Sequence, residues 1–95
     1  MLSFTVRMRF DDTDHAAVTE MLRELTLASR AEPGCVNYVS HFVEGDPTTV
    51  VIYEQYVDEA ALELHGKSDH FRQYATEGFY KRMRAQQIER LDAVA

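Results

Sequence analysis

Apolar and polar residues alternate along the first ten positions of the chain. The apolar residues of one parity are Leu2, Phe4, Val6, Met8 and Phe10. A period of two predicts a β-strand with one buried face over residues 2–10. From about residue 14 to 31 the apolar residues recur at three- and four-residue spacing instead, which predicts an amphipathic helix.

Residue types at both ends of this helix indicate where it starts and stops. The acidic cluster at residues 11–14 is expected to supply N-cap oxygens. Pro33 cannot continue a helix, and Gly34 accepts a positive φ, so we expect a turn there.

The rest of the chain predicts a hairpin, a broken helix and a last strand. Residues 35–44 and 48–57 are rich in β-branched and aromatic types and are separated by a Gly-Asp-Pro turn, which predicts two antiparallel strands. Asp58 should cap a helix that Gly66 breaks, and Ser68 should cap a second short helix. Residues 84–93 fit either a strand or a helix by themselves.

The order of these elements decides the fold class. The series β–α–β–β–α–(β) is the ferredoxin-like split βαβ arrangement, and it favours a strand at residues 84–93. We therefore predict one α+β domain over residues 1–95.

The strand at 48–57 is apolar or aromatic on both parities, so both of its faces should be buried. Helices of the chain can cover one face, and a second copy of the sheet is the simplest cover for the other. The sequence thus predicts a homodimer.

Composition and charge exclude several classes of protein. The formal net charge is −6, without a stripe of lysine and arginine, which argues against nucleic-acid binding and against docking on anionic membranes. No run of 18 apolar residues and no signal peptide are visible. A single cysteine, Cys35, permits no internal disulfide and no zinc or iron–sulfur pattern. These features suggest a cytoplasmic protein, and Cys35 has no adjacent base that would make it a nucleophile.

Three segments, in order, resemble one known family. They are EPGCVNY at 32–38, VIYEQYVDEAALELH at 51–65 and SDHF at 68–71. Their order and spacing resemble the antibiotic biosynthesis monooxygenase family, especially its small quinol-monooxygenase-like members. The resemblance implies a dimeric α+β barrel of two ferredoxin-like subunits.

The family's known chemistry is varied. Some members oxidise polycyclic phenols or quinols with dioxygen and without metal, flavin or haem; others isomerise or degrade small metabolites, and one branch degrades haem. This chain lacks the tryptophan usual in the haem branch. It also contains no P-loop and no G-x-G-x-x-G motif, so no cofactor is expected.

Histidines are the first candidates for chemistry. His65 follows Leu62 on the apolar side of its helix, so it is either a core histidine with one hydrogen bond or a pocket base. The resemblance favours the base, since imidazole can remove and return a phenolic proton near neutral pH. His70, at the start of the next helix, is either a surface residue or a substrate contact. His65 and His70 are five residues apart with Gly66 between them, so they should not share a helical face and no metal site is expected.

The remaining candidates for substrate binding lie on the second and third strands and the second short helix. Glu54, a carboxylate in an apolar strand, needs an ion pair or hydrogen bond, or serves as a pocket group that orients His65 or the substrate. Aromatic side chains that are either core residues or stack on a planar substrate are Tyr56, Phe71 and Tyr74. Asn37 either holds a substrate carbonyl or forms an edge hydrogen bond.

Three functions follow from these candidates. The first is a cofactor-independent monooxygenase that acts on a small phenol or quinol, with a homodimer as its assembly. The second is an isomerase or degrading enzyme for a small carbonyl compound, in which His65 shuttles a proton. The third is a dimeric module that binds a small ligand without catalysis.

Overall fold

The computed structural model describes residues 1–95 and contains a four-stranded antiparallel sheet with the order β2-β3-β1-β4. The strands are β1 (Leu2–Arg9), β2 (Cys35–Phe42), β3 (Thr49–Tyr56) and β4 (Ala85–Leu91). The helices are α1 (His15–Arg30), α2 (Glu59–Gly66) and α3 (Asp69–Phe71), and a wider π turn continues α3 over Arg72–Thr76. Short 3₁₀ turns occur at Asp12–Asp14 and Phe79–Lys81. The predicted α+β ferredoxin-like class is confirmed, including a strand at the C-terminal end.

The core lies between one face of the sheet and the helices. Directly paired residues of adjacent antiparallel strands share a face, and β1 pairs Phe4 with Glu54 and Val6 with Ile52. This face meets the buried stripe of α1, including Val18. The alternation read from residues 2–10 therefore corresponds to a strand buried on its even-numbered side. None of the helices is both long and apolar enough to cross a membrane.

The opposite face of the sheet, which we call the outer face, has no helix over it. On β3 it carries Val51 and Tyr53, which are only partly buried in the single chain. Every residue of β4 is exposed. The apolar residues on the outer face of β3 are thus not covered by any other part of the chain.

The acidic cluster before α1 does not cap it, contrary to the prediction. Neither Asp11 nor Asp14 makes a side-chain hydrogen bond to the helix start. Instead, Arg84 donates to Asp11, and Arg82 Nη1 donates to Asp14 Oδ1 at 2.8 Å. Arginines preceding β4 lie within reach and bring opposite charge, so the carboxylates tie the start of α1 to the segment before the last strand.

Gly34 is needed for close packing and not for a positive φ, which corrects the second expectation about this turn. The positive-φ glycine is Gly45, with φ 78° in the β2–β3 turn. At Gly34, an added Cβ would lie 2.4 Å from the Cβ of Ala61. The glycine therefore lets α2 approach the loop that follows α1.

The two predicted caps beyond β3 are present. Asp58 Oδ1 accepts a hydrogen bond from Ala61 N at 2.9 Å, and Ser68 Oγ accepts one from Phe71 N at 3.2 Å. Each satisfies a backbone N–H that the first turn of a helix leaves without a partner. The chain consequently changes direction between Gly66 and Ser68, and side chains of α2 and α3 converge.

Candidate functional site

His65 lies on α2 with its side chain directed into the molecule, where it is 3% exposed. Its ring contacts three aromatic rings, with centroid distances of 5.6 Å to Tyr38, 5.4 Å to Tyr56 and 5.2 Å to Phe71. A buried imidazole in such apolar surroundings requires hydrogen-bond partners for its ring nitrogens.

Glu32, in the loop after α1, supplies the first partner and joins two histidines. Its Oε2 lies 2.8 Å from His65 Nδ1 and 2.5 Å from His70 Nε2. Burial by itself would raise the pKa of Glu32, but the hydrogen bonds from the two histidines, followed by their charge when they are protonated, outweigh it and lower the pKa. The carboxylate is therefore ionised near neutral pH and can only accept, so both imidazoles donate an N–H to it.

Glu54 lies on the other side of the His65 ring. Its Oε1 is 3.8 Å from His65 Nε2, and it accepts a hydrogen bond from the Tyr56 hydroxyl at 2.6 Å. Burial raises the pKa of Glu54, although the Tyr56 bond and the His65 charge oppose the rise. Burial, reinforced by the charge of Glu54, also raises the pKa of Tyr56 far above its usual value. The Tyr56 hydroxyl therefore keeps its proton and remains a donor to Glu54.

A cavity of about 300 Å³ opens beside His65 and Glu54. His65 and Glu54 line it, together with Phe4, Leu62, Phe71, Tyr80, Ile88 and Arg90. Its walls are thus mainly apolar and aromatic, with a few polar groups, which is the usual composition of a small-molecule site. Arg90, more than half exposed, stands at the open side on β4.

Three of the residues proposed from the sequence line the cavity, namely His65, Glu54 and Phe71. His70 lies behind His65 on the shared Glu32. Tyr56 is also behind the wall and has no exposed surface, so it cannot stack on a substrate as expected. Its hydroxyl can hold Glu54 instead.

Two of the proposed residues lie elsewhere. Asn37 is exposed on the outer face, where its Nδ2 donates to Gln55 Oε1 at 2.8 Å, and it does not line the cavity beside His65. This is the edge hydrogen bond that the sequence left open as its alternative. Tyr74 is partly buried against the core and is not part of the cavity wall.

The sequence reasoning missed Glu32, Tyr80 and Arg90. Glu32 was read only as part of a helix-ending turn, 33 residues before its partner His65. The two-residue spacing of Ile88 and Arg90 was a signal that could have been used, because β4 places both side chains on the face of the sheet that lines the cavity. His65 and His70 do lie on separate helices, as their spacing indicated, but the break after α2 still brings both rings to Glu32, which the sequence did not reveal.

Comparison with known proteins gives a consistent result. The sequence profile of the family described as antibiotic biosynthesis monooxygenase matches residues 1–77. The crystal structure of an antibiotic biosynthesis monooxygenase superposes with a TM-score of 0.91 at 26% identity, covering 100% of both chains. The protein PA3566 from Pseudomonas aeruginosa superposes with a TM-score of 0.90 at 30% identity, covering 99% of this chain and 94% of its own. No protein of curated function matches the sequence.

Proposed function

Because the chain belongs to the antibiotic biosynthesis monooxygenase family, we propose that it is a cofactor-independent monooxygenase that oxidises a small phenol or quinol with dioxygen. The observation that carries this proposal is the arrangement of His65. An ionised Glu32 accepts from its Nδ1, while its Nε2 faces Glu54 beside an aromatic cavity. This is the geometry of an oriented general base next to a binding site.

The Glu32 carboxylate determines which nitrogen of His65 can act. With the proton of the neutral ring on Nδ1, the lone pair is on Nε2, on the cavity side. A phenolic hydroxyl in the cavity can transfer its proton to that atom. The imidazolium so formed lies between Glu32 and Glu54, which stabilise it. A positioned base of this kind contributes about 10²- to 10⁴-fold to a rate.

Proton removal prepares the phenol for oxidation, because a phenolate gives up one electron more readily than a phenol. The electron passes to dioxygen, and the resulting radical pair combines at a ring carbon to form a peroxide. Loss of water from that carbon leaves a carbonyl. In total, one phenol and one dioxygen give one quinone and one water, and His65 returns its proton to the departing oxygen.

The cavity wall suits a planar aromatic substrate. Phe71 and Tyr80 offer ring faces and edges, and their centroids are 5.8 Å apart. Arg90 can donate hydrogen bonds to a phenolate or quinone oxygen from the open side. Apolar walls also exclude water, which favours electron transfer to dioxygen over side reactions.

Dioxygen consumption is the decisive measurement. We expect oxygen uptake with at least one compound from a panel of mono- and polycyclic phenols and quinols. His65→Gln, which keeps a donor for Glu32 and removes the base, should reduce turnover about 10²-fold or more. His15→Gln, at a histidine that lies at the start of α1, outside both the cavity and the outer face, is the matched control. Full oxygen-dependent turnover in His65→Gln would reject the base.

The same experiment separates the other functions. An isomerase or degrading enzyme would consume its substrate equally well under nitrogen. A binding module would show ligand-induced thermal stabilisation and no product. Either result would replace the monooxygenase proposal.

We also propose that the active form is a homodimer joined through the outer face. Val51 and Tyr53 lie there on a central strand, partly exposed and without a helix over them. Leu91 on β4 pairs with Ser3, lies on the same outer face and is 43% exposed, so apolar surface extends to the sheet edge. A second copy of the sheet would remove this surface from water.

A further inference from the structure

The cluster formed by Glu32, His65 and His70, which we call the Glu–His–His cluster, has a second chemical capacity. We propose that it binds one divalent transition-metal ion of the Zn²⁺ type. This inference concerns binding and does not depend on the oxidation proposed above.

The ligand atoms are already close to the arrangement that such an ion requires. Glu32 Oε2, His65 Nδ1 and His70 Nε2 all lie within 4.8 Å of one another. The carboxylate oxygen is 2.8 Å from the first nitrogen and 2.5 Å from the second. Zinc bonds of about 2.0–2.2 Å place tetrahedral ligands about 3.3 Å apart. Lengthening the two oxygen–nitrogen distances by less than an ångström each therefore brings them to the separation that a coordination site requires.

The positions of the three side chains allow the ligand atoms to move apart and leave room for a further ligand on the ion. His65 is held in the interior, whereas the side chain of His70 is 25% exposed and that of Glu32 is 15% exposed. His70 sits on the short α3, between Ser68 and the π turn. An ion can thus enter from the surface side. Two imidazoles and one carboxylate leave one or more positions for water, as in open zinc sites and other divalent-metal sites.

A supporting outer layer is also present. A metal-bound histidine normally donates its second ring N–H to a carboxylate, which fixes the ring. With a metal on Nδ1, the Nε2 proton of His65 points to Glu54, whose Oε1 is 3.8 Å away. Glu54 in turn accepts from the Tyr56 hydroxyl at 2.6 Å. Glu54, held by this bond, is therefore the carboxylate beside the second ring nitrogen of His65, and an approach of roughly 0.8 Å would complete a hydrogen bond between them.

Charge favours a cation in the same place. Glu32 and Glu54 are two carboxylates on either side of His65, and their ion-pair partners are histidines, not lysine or arginine. A divalent ion would compensate both. Cys35 is not part of the group whose ligand atoms lie within reach of one ion. The donor set is accordingly nitrogen and oxygen.

Metal binding and base catalysis use His65 in exclusive ways. A metal on Nδ1 leaves the proton on Nε2, so the metal-bound ring cannot accept a proton from the cavity. If the proposed oxidation is correct, Zn²⁺ should inhibit it.

The test is a titration of untagged, chelator-treated protein with Zn²⁺ by calorimetry and with Co²⁺ by visible absorption. We expect one ion per chain. Glu32→Gln and His70→Ala should each weaken Zn²⁺ binding more than tenfold. Glu54→Gln should weaken it about 10- to 100-fold, the usual effect of an outer partner. His15→Gln, at a histidine outside the cluster and the outer face, and Cys35→Ser are the matched controls and should bind like the unaltered protein.

Three results would overturn the proposal. They are the absence of stoichiometric binding in the unaltered protein, retention of full affinity in both Glu32→Gln and His70→Ala, and loss of binding in either control. Circular dichroism establishes that each variant is folded. If His70→Ala is unfolded, His70→Phe, which keeps a ring without a ligand atom, takes its place.

Discussion

Replacing Glu32 by glutamine tests whether its carboxylate orients His65 or only stabilises the loop after α1. The change keeps the size of the side chain and removes its charge. A glutamine amide can accept from His65 Nδ1 through its oxygen or donate to it through its nitrogen. In the second case the ring proton moves to Nε2, and the lone pair is lost from the cavity side.

The structure sets the size of both effects. Glu32 accepts two charge-assisted hydrogen bonds, and such bonds contribute about 1.5–3 kcal/mol each, compared with about 1 kcal/mol for neutral ones. Glu32→Gln should therefore lower the free energy of unfolding by about 1–4 kcal/mol. At about 4–8 °C per kcal/mol for a chain of this size, the melting temperature should fall by about 5–30 °C. If the carboxylate orients the base, kcat should fall about 10²-fold or more while KM changes little.

The pH dependence of stability gives an independent readout. The pKa of Glu32 is lowered in the folded protein, against the effect of burial, by its hydrogen bonds from His65 and His70 and by their charge. Its stabilisation is therefore complete above the usual glutamate pKa of about 4.3 and is lost as the pH falls through the folded value. The difference in unfolding free energy between the unaltered protein and Glu32→Gln should shrink below about pH 4.

The matched control is Glu63→Gln on α2. Glu63 pairs with Lys67 at 2.8 Å, and their side chains are 66% and 71% exposed, so the change should cost less than about 1 kcal/mol. Denaturant unfolding and steady-state kinetics of both variants complete the comparison. Full turnover in a destabilised Glu32→Gln would refute the orienting role and leave Glu32 as a structural residue.

Three further outcomes are expected. Gly34→Ala should lower the free energy of unfolding by about 1–3 kcal/mol in denaturant unfolding, because the new Cβ would lie 2.4 Å from the Ala61 Cβ. Gly66→Ala, whose Cβ would have no atom within 4 Å, is the control and should not lower it. Equal stabilities of the two variants would contradict the close packing at Gly34. Alkylation of Cys35 should be slow at neutral pH and accelerate up to pH about 11, because burial, with the charges of two glutamates, raises its pKa to about 11; a rate that levels off near pH 8 would oppose this. Sedimentation should show a dimer that buries more than about 2,000 Å² in total, and a folded monomer at micromolar concentration would reject it.

The amino-acid sequence determined the elements and their order. Alternation over residues 2–10 and the three- and four-residue spacing of α1 are local signals, because each follows from which side of one element meets the core. The caps Asp58 and Ser68 were equally readable, since a cap acts on a backbone N–H within three residues. The tail was ambiguous by itself, and the order of the other elements correctly favoured a strand.

The candidate site depended on tertiary structure, for a physical reason. Glu32 and His65 are 33 residues apart, and Glu32 and His70 are 38 apart, so no periodicity links them. Their meeting requires Gly34 to admit α2 and the break after Gly66 to turn α3 back. Local pattern indicates which side chains are turned inward. The packing of α2 and α3 against the loop after α1 decided that two imidazoles share one carboxylate. Such contacts join residues far apart in the chain, so they produce no regular spacing that the sequence would show.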